Sequence, residues 1–180
     1  MSAESTLTTI PTNTSFLQPN KFSFTIPTLP FLTYFCQNVQ IPAVSTSPVV
    51  VDTPFSNTFR HGDKLQYESL IVTIIVDEDL RSWEETYNWL VALTFPDRFD
   101  QYIRFKDKNK SPYHDAILTV NNNNHQPNMR IKFTECHPSA MTGVSLSTTA
   151  DASTVITCDI TFRYDGFDIE RLWLGSMILL

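Results

Sequence analysis

The sequence predicts a mainly β chain with one flanking α-helix. Short apolar runs broken by prolines begin at Lys21, a long apolar strand covers Lys64 to Val76, and an alternating strand, ITCDITFRYDG, lies near the end. Helical spacing is carried by SWEETYNWLVALTFP. The 180 residues fit one domain, which can bury roughly two thirds of the surface that the unfolded chain exposes.

Composition divides the chain into three parts. Residues 1–19 are rich in Thr, Ser, Asn and Pro, which is typical of an arm that is mobile or ordered only against a neighbour. Residues 20–168 carry the β pattern. Residues 169–180 include the apolar tail RLWLGSMILL, which we expect to be a contact segment.

Prolines dominate the first half of the β part, where they separate runs such as FSFTI and FLTYFCQNV. Prolines at this density exclude helix and place their neighbours at strand ends or edges. The following TPFSNTFRHGDKL carries Gly62 and Asp63 and is typical of a loop or hairpin tip. The strand Lys64 to Val76 then becomes apolar on both faces, which predicts a central strand covered on both sides.

One helix is predicted at about residues 82–95. Ser82 and Glu85 have the spacing of a capping box, and Pro96 provides the stop. Five residues fall on one face at helical spacing and are expected to face the core: Trp83, Tyr87, Leu90, Val91 and Thr94.

Two hairpins are predicted after the helix. The first joins Asp115–Val120 to Met129–Phe133 through an asparagine turn. The second joins VSLSTT, through a turn at Asp151, to Val155–Tyr164. Alternation in the last strand places Ile156, Cys158, Ile160, Phe162 and Tyr164 on a core face and the intervening residues toward water or a lumen.

Composition argues against several functions. A net charge of −6 disfavours a protein that neutralises phosphates, and the short basic run RFKDKNK is expected to be a solvated loop. Three widely spaced cysteines are expected to be reduced thiols. The N-terminus lacks the charge and apolar run of a signal peptide, and no stretch approaches the roughly 18 apolar residues of a membrane span, so we expect no membrane partner.

Catalytic, cofactor-binding and metal-binding patterns are not evident in the sequence. The four glycines form no Gly-rich loop of the kind that cradles phosphates. A metal site built from His61, His114 and His125 with acidic partners remains an alternative. The acidic run Asp77 to Asp79 more simply ends a strand and leads into the N-terminus of the helix, where negative charge is favoured.

Several segments form an ordered series. A first strand, PNKFSFTI, precedes TYFCQNVQIPAV, and a linker of prolines and polar residues leads to GDKLQYESLIVTIIVDE, which is followed directly by the helix SWEETYNWL. The chain closes with FTECHPSAMTGVSLSTTADASTVITCDITFRYDGFDI. Over roughly residues 19–168 this series resembles the tail-tube protein family of contractile-tailed bacteriophages, including the related baseplate tube-initiator and tube-terminator ring proteins.

The resemblance implies a β-sandwich or β-barrel-like tube-protein fold with one flanking helix, assembled as a homohexameric ring whose strands join across subunits. It implies a structural, non-enzymatic protein of the virion tail, assembled in the host cytoplasm, whose stacked rings form the conduit for DNA ejection. Its partners would be other copies of itself, adjacent tail-tube or baseplate rings and the tail sheath. An acidic lumen would let DNA pass without specific binding.

Two surfaces are the candidates for contacts between subunits or rings. The loop from Ser56 to Asp63 is one, and the C-terminal tail is the other, with packing of the tail on its own helix left as an equal alternative. The candidate contact residues are Ser56, Asn57, Phe59, Arg60, Asp63, Trp173, Leu174, Met177 and Ile178.

Other functions remain open at this point. A monomeric β-sandwich could present the Ser56 to Asp63 loop to a ligand, and an enzyme would require the acidic run at Asp77 and a histidine to bind a metal. Within the tail-tube class, a tube terminator or a baseplate tube initiator is an alternative to the repeated tube subunit.

Overall fold

The computed structural model describes residues 13–94, 112–151 and 153–172, and strands predominate in these ranges. None of the helices in these ranges is long and apolar enough to cross a membrane. The elements follow in the order β1 (Phe22–Thr25), α1 (Pro30–Phe35), β2 (Cys36–Gln40), β3 (Val44–Thr46), β4 (Val49–Asp52), β5 (Asn57–Arg60), β6 (Leu65–Tyr67), β7 (Leu70–Ile75), α2 (Arg81–Leu93), β8 (His114–Asn121), β9 (Pro127–Met141), β10 (Thr157–Arg163) and β11 (Gly166–Arg171).

The long strand β9 belongs to two sheets. Its first half pairs with β8 and β11, and its second half, His137–Met141, pairs with β10. Between the halves Glu135 has a positive φ of 53°, and the pairing registers shift nearby, as at a bulge that bends a strand from one sheet into another. Sheet 1 therefore has the order β1-β8-β9-β11, and sheet 2 has the order β9-β10-β7-β2.

The two sheets enclose one hydrophobic core, as expected for a β-sandwich. Alternate residues of β7 and β10 point inward from sheet 2, and alternate residues of β8 and β9 point inward from sheet 1. The inward positions predicted for the last strand are confirmed at Cys158, Ile160 and Phe162. The fully buried side chains with the largest volumes include Trp89, Phe133 and Phe162.

A second helix corrects the prediction of one helix. Prolines were expected to exclude helix from residues 27–48, yet α1 begins at Pro30 and covers PFLTYF. Proline is well tolerated in the first turn of a helix because its missing N–H would have no intrahelical partner there. α1 buries Leu32 and packs beside α2.

The predicted helix is present as α2, but its start differs from the prediction. Ser82 lies inside the helix and does not form a capping box with Glu85. Instead the Asp77 carboxylate accepts hydrogen bonds from the backbone N–H of Arg81 (3.1 Å) and Ser82 (2.8 Å) and from the Ser82 hydroxyl (2.6 Å). These bonds outweigh the effect of burial and hold the pKa of Asp77 below its ordinary value.

The face of α2 that enters the core is also different. The buried side chains are Ser82, Thr86, Trp89 and Ala92. The predicted core stripe of Trp83, Tyr87, Leu90, Val91 and Thr94 is half-buried or exposed. The buried face therefore combines one large ring, Trp89, with three small side chains. The other two aromatic residues, Trp83 and Tyr87, lie on its flank.

Most of the predicted β pattern after the helix is found. The hairpin of β8 and β9 is closed by an asparagine turn in which the Asn122 side chain accepts hydrogen bonds from the backbone of Asn124 and Gln126. VSLSTT was predicted as a strand but has no strand structure. The predicted strand Lys64 to Val76 divides into β6 and β7. β7 is central in sheet 2, but its second face is only partly covered, since Ile71 is 36% exposed and Thr73 and Ile75 are half-buried.

Candidate assembly surfaces

A two-stranded ribbon projects from the edge of sheet 2. It comprises Ala43–Glu68, which we call the β-arm, and it continues the paired strands β2 and β7 away from the sandwich. In the β-arm β3 pairs with β6, and β4 pairs with β5. The segment that was predicted from its prolines to be a linker is therefore a hairpin. Its strands can pair because Pro48 and Pro54 lie outside them.

The β-arm exposes many apolar side chains on both faces. Val50 and Phe59 are directly paired across the strands and are 51% and 70% exposed. A two-stranded ribbon without a covered face is marginally stable in water, and apolar patches of this kind mark contact surfaces. The other large exposed apolar residues of the β-arm are Val44, Val49, Val51, Phe55 and Leu65.

The tip of the β-arm is the turn Thr53–Ser56. The backbone N–H of Thr53 donates to the carbonyl oxygen of Ser56 (3.1 Å), and the Thr53 hydroxyl bonds the same oxygen. Pro54 occupies the second position of the turn, where its fixed φ is favourable. Phe55 at the tip is 99% exposed, so the most distant point of the β-arm is an aromatic ring.

A joint lies halfway along the β-arm. Between the two paired segments, residues 47–48 on one strand face residues 61–64 on the other. Gly62 is required there, since a Cβ atom at this position would lie 2.1 Å from the carbonyl oxygen of Ser47.

Aromatic residues fix the base of the β-arm to the sandwich. The ring of Tyr67 lies 6.0 Å from that of Tyr164 and 5.5 Å from that of Phe167, and both of those rings pack against Phe133. The Tyr164 hydroxyl donates to the carbonyl oxygen of Glu68 (2.8 Å), and burial raises the pKa of Tyr164 to about 12. The direction of the β-arm is therefore set by the core.

The candidate contact residues predicted between residues 56 and 63 all lie exposed on the β-arm. The prediction of a loop there is only partly right, since Ser56 belongs to the tip, Asp63 to the joint, and Asn57, Phe59 and Arg60 to strand β5. The remaining candidates, Trp173, Leu174, Met177 and Ile178, lie outside the described residues. Their contacts remain predictions.

Sheet 2 has two edges without a strand partner among the described residues. One is β2, and the other is His137–Met141 of β9. Pro138 in this part of β9 fits an edge position, because proline has no backbone N–H to donate to a neighbouring strand. Open edges of this kind are templates for pairing with another chain.

The outward faces of the two sheets differ in charge. Sheet 1 carries exposed ion pairs on its outward face, with Lys132 Nζ 2.8 Å from an Asp115 oxygen and Arg130 Nη1 3.8 Å from a Glu170 oxygen. The hydrogen bond from Lys132 lowers the pKa of Asp115.

Sheet 2 turns a mostly uncharged face outward. Its outward positions on β7 and β10 are Ile71, Thr73, Ile75, Thr157, Asp159, Thr161 and Arg163. The Thr73 hydroxyl is tied to Asp159 by a hydrogen bond of 2.7 Å.

Metal-binding side chains do not cluster in the described part of the chain. No cluster of three or more His, Cys, Asp or Glu side chains there could hold a metal ion. The acidic residues before α2 serve the helix: Asp77 caps it, and Asp79 pairs with Arg81 at 3.5 Å. Burial raises the pKa of Cys36 and Cys136 to about 12, so neither thiol is activated.

Comparison with known proteins adds a relative and a fold. The chain is 27% identical over 168 residues to the tail tube terminator protein of Enterobacteria phage T4. The alignment covers 87% of this chain and 91% of the relative. No protein-family profile matches the chain.

Two of the cryo-EM structures that share the fold are similar over most of the chain. A chain of the tube terminating cap of the anti-feeding prophage aligns with a TM-score of 0.57 and 12% identity, covering 92% of this chain and 97% of that one. A chain of the sheath/tube terminator of the extracellular contractile injection system PVC aligns with a TM-score of 0.55 and 13% identity, covering 88% and 99%. The resemblance to tail-tube proteins and the tube-protein fold are thereby confirmed.

Proposed function

We propose that this chain is a structural, non-enzymatic subunit of a contractile phage tail, forming a terminator ring or another tube-type ring. The observation that carries the proposal is the pair of open edges on sheet 2, combined with similarity to a tail tube terminator over most of the chain. Copies joined through these edges would close a continuous sheet and remove both edges from water.

Strand directions allow this closure. Both β9 and β7 run antiparallel to β10, and β2 runs antiparallel to β7, so β2 is antiparallel to the second half of β9. Rotation about a ring axis leaves strand directions along that axis unchanged. The β2 edge of one copy therefore meets the β9 edge of the next as an antiparallel pair in a six-fold ring.

The outward face of sheet 2 lines the lumen in this ring. Its Thr-rich surface offers few cations to phosphates, and the net charge of the chain is −6. DNA would pass such a wall without sequence-specific binding.

The β-arm contacts the adjacent tube or baseplate ring through Ser56, Asn57, Phe59, Arg60 and Asp63. Its exposed apolar residues have no cover within the described part of the chain, and its fixed base lowers the ordering cost of docking. Residues 1–19 and the tail residues Trp173, Leu174, Met177 and Ile178 provide further contacts, with sheath or baseplate proteins as partners.

A charge at the β9 edge tests the ring. Light scattering is expected to give a closed multimer for the unmodified chain and a monomer with unchanged circular dichroism for Ala140→Lys, because a lysine on an edge opposes pairing. The matched control is Ser23→Lys on β1, an exposed edge position of sheet 1, which should leave the multimer intact. A monomeric unmodified chain would contradict the ring and favour a monomeric binding module.

A further inference from the structure

One flank of α2 forms an open aromatic groove. The rings of Trp83 and Tyr87 stack with centroids 5.1 Å apart and planes 8° from parallel, and Tyr87 is 47% exposed. With Leu90 they face residues Ser139–Gly143 across a cavity of about 390 Å³, which has room for one aromatic side chain. We call this cavity the α2 groove.

The opposite flank of α2 holds α1. Glu85 on that flank accepts hydrogen bonds from the backbone N–H of Phe31 (3.2 Å) and Leu32 (3.4 Å), and the Arg81 guanidinium lies 5.6 Å from the centre of the Phe31 ring. α1 therefore lies on the β2 side of α2, and the α2 groove lies on the β9 side.

Tyr34 is the most exposed aromatic residue of α1. It is 82% exposed and makes an edge-on contact with Phe35 at 5.0 Å. It lies two residues before Cys36, the first residue of the open edge strand β2. If the start of β2 pairs with another copy, Tyr34 therefore lies next to that copy.

Antiparallel pairing of the two edges fixes what Tyr34 meets. The start of β2 in one copy lies opposite the end of β9 in the next, near Met141. Met141 and the following Thr142 and Gly143 line the α2 groove. Both helices pack on the core side of sheet 2, so α1 of one copy and the α2 groove of the next lie on the same side of the joined sheet.

We infer that Tyr34 of each subunit inserts into the α2 groove of the neighbouring copy, against the Trp83–Tyr87 pair. This inference rests on the proposed ring and adds a second layer of contact outside the barrel. Aromatic anchors that fill a neighbour's pocket commonly carry much of the free energy of an interface.

Engineered disulfides test the contact separately from the ring. In a Cys36→Ser background, Tyr34→Cys with Tyr87→Cys reports the groove contact, and Asn38→Cys with Ser139→Cys reports the edge pairing. Mild oxidation is expected to give a ladder of covalent multimers on non-reducing gels with both pairs, since the remaining thiols Cys136 and Cys158 are buried.

Each outcome decides between the two proposals. A ladder from the edge pair without one from the groove pair overturns the groove contact and leaves the ring standing. A fast-migrating monomer from the groove pair overturns it as well, because Tyr34 would then meet Tyr87 within its own chain. If neither pair gives a ladder and light scattering finds monomers, the ring proposal fails and this inference fails with it.

A binding measurement gives a second readout. Tyr34→Ala is expected to raise the concentration at which the subunit ring dissociates by about tenfold or more. Tyr34→Phe should raise it by much less, because the aromatic group of the side chain provides the contact. Ser23→Ala, at an exposed position on β1 of sheet 1 and on neither edge strand of sheet 2, is the control and should change nothing. Equal assembly of Tyr34→Ala and the unmodified chain would overturn the inference.

Discussion

The sandwich and the β-arm contain the same kinds of apolar residues, but the sandwich buries them and the β-arm exposes them. Val, Leu and Phe of the sandwich are enclosed between two sheets and α2. Val50, Phe55 and Phe59 of the β-arm are exposed, and no second layer covers the ribbon among the described residues. Apolar burial stabilises the first region within one chain. In the β-arm the same chemistry is available to stabilise a contact with another molecule.

The junction between these regions explains how the β-arm can stay extended without a core. Tyr67 packs on the aromatic cluster of Phe133, Tyr164 and Phe167, so the first strands of the β-arm are anchored to the sandwich. Beyond the joint at Gly62 that support ends. Stability should therefore fall along the β-arm from base to tip.

The largest contrast is expected from one pair of substitutions. Phe133→Ala removes a fully buried ring and should lower the free energy of unfolding by about 3–5 kcal/mol. Phe59→Ala removes the same atoms from an exposed site and should change it by less than about 0.5 kcal/mol. Urea denaturation of both variants measures the difference, and a large loss from Phe59→Ala would mean that the β-arm packs on its own sandwich.

A smaller effect is expected at the start of α2. Asp77→Ala removes three hydrogen bonds from the first turn and should cost about 1 kcal/mol, whereas Asp77→Asn keeps an acceptor and should cost less. The measurement is the free energy of unfolding of the three proteins by urea denaturation.

The same site predicts a pH dependence. Since folding lowers the pKa of Asp77, its contribution is present above the unfolded value of about 3.9 and is lost as the pH falls through the lower folded value. The advantage of the unmodified chain over Asp77→Ala should therefore be full at pH 7 and shrink in acid. An advantage that grows on acidification would show that the carboxylate does not cap the helix.

The smallest effect on the sandwich is expected at the joint of the β-arm. Gly62→Ala places a methyl group against the Ser47 carbonyl and must shift the backbone there, while the core stays untouched. Hydrogen exchange should rise in β4 and β5 and remain unchanged in β7 and β10. If β4 and β5 are as well protected from exchange in the variant as in the unmodified chain, the joint does not support the outer half of the β-arm.

The sandwich could be predicted largely from the sequence because its signals are local. Alternation in β10 and helical spacing in α2 each follow from one face being buried. The start and buried face of α2 could not be predicted in this way. Asp77 caps the helix from before its first residue, and tertiary packing turns the face of Ser82, Thr86, Trp89 and Ala92 into the core although Trp83 and Tyr87 are more apolar than Ser82 and Thr86.

The β-arm was harder to predict because its prolines were read as breaks. Pro48 and Pro54 actually lie at the joint and the tip, where the ribbon needs no ladder hydrogen bond from them. Alternation also fails as a signal in a ribbon exposed on both faces. VVVD of β4 is a strand with no buried side, and its apolar run would be explained by an external partner.

Cryo-EM of the assembled ring tests the account most directly. Sheet 2 is predicted to continue from subunit to subunit through β2 and the second half of β9, with Thr73, Asp159 and Thr161 facing the central channel. A ring whose channel is lined by the charged face of sheet 1, or whose subunits meet without pairing these two strands, would contradict it.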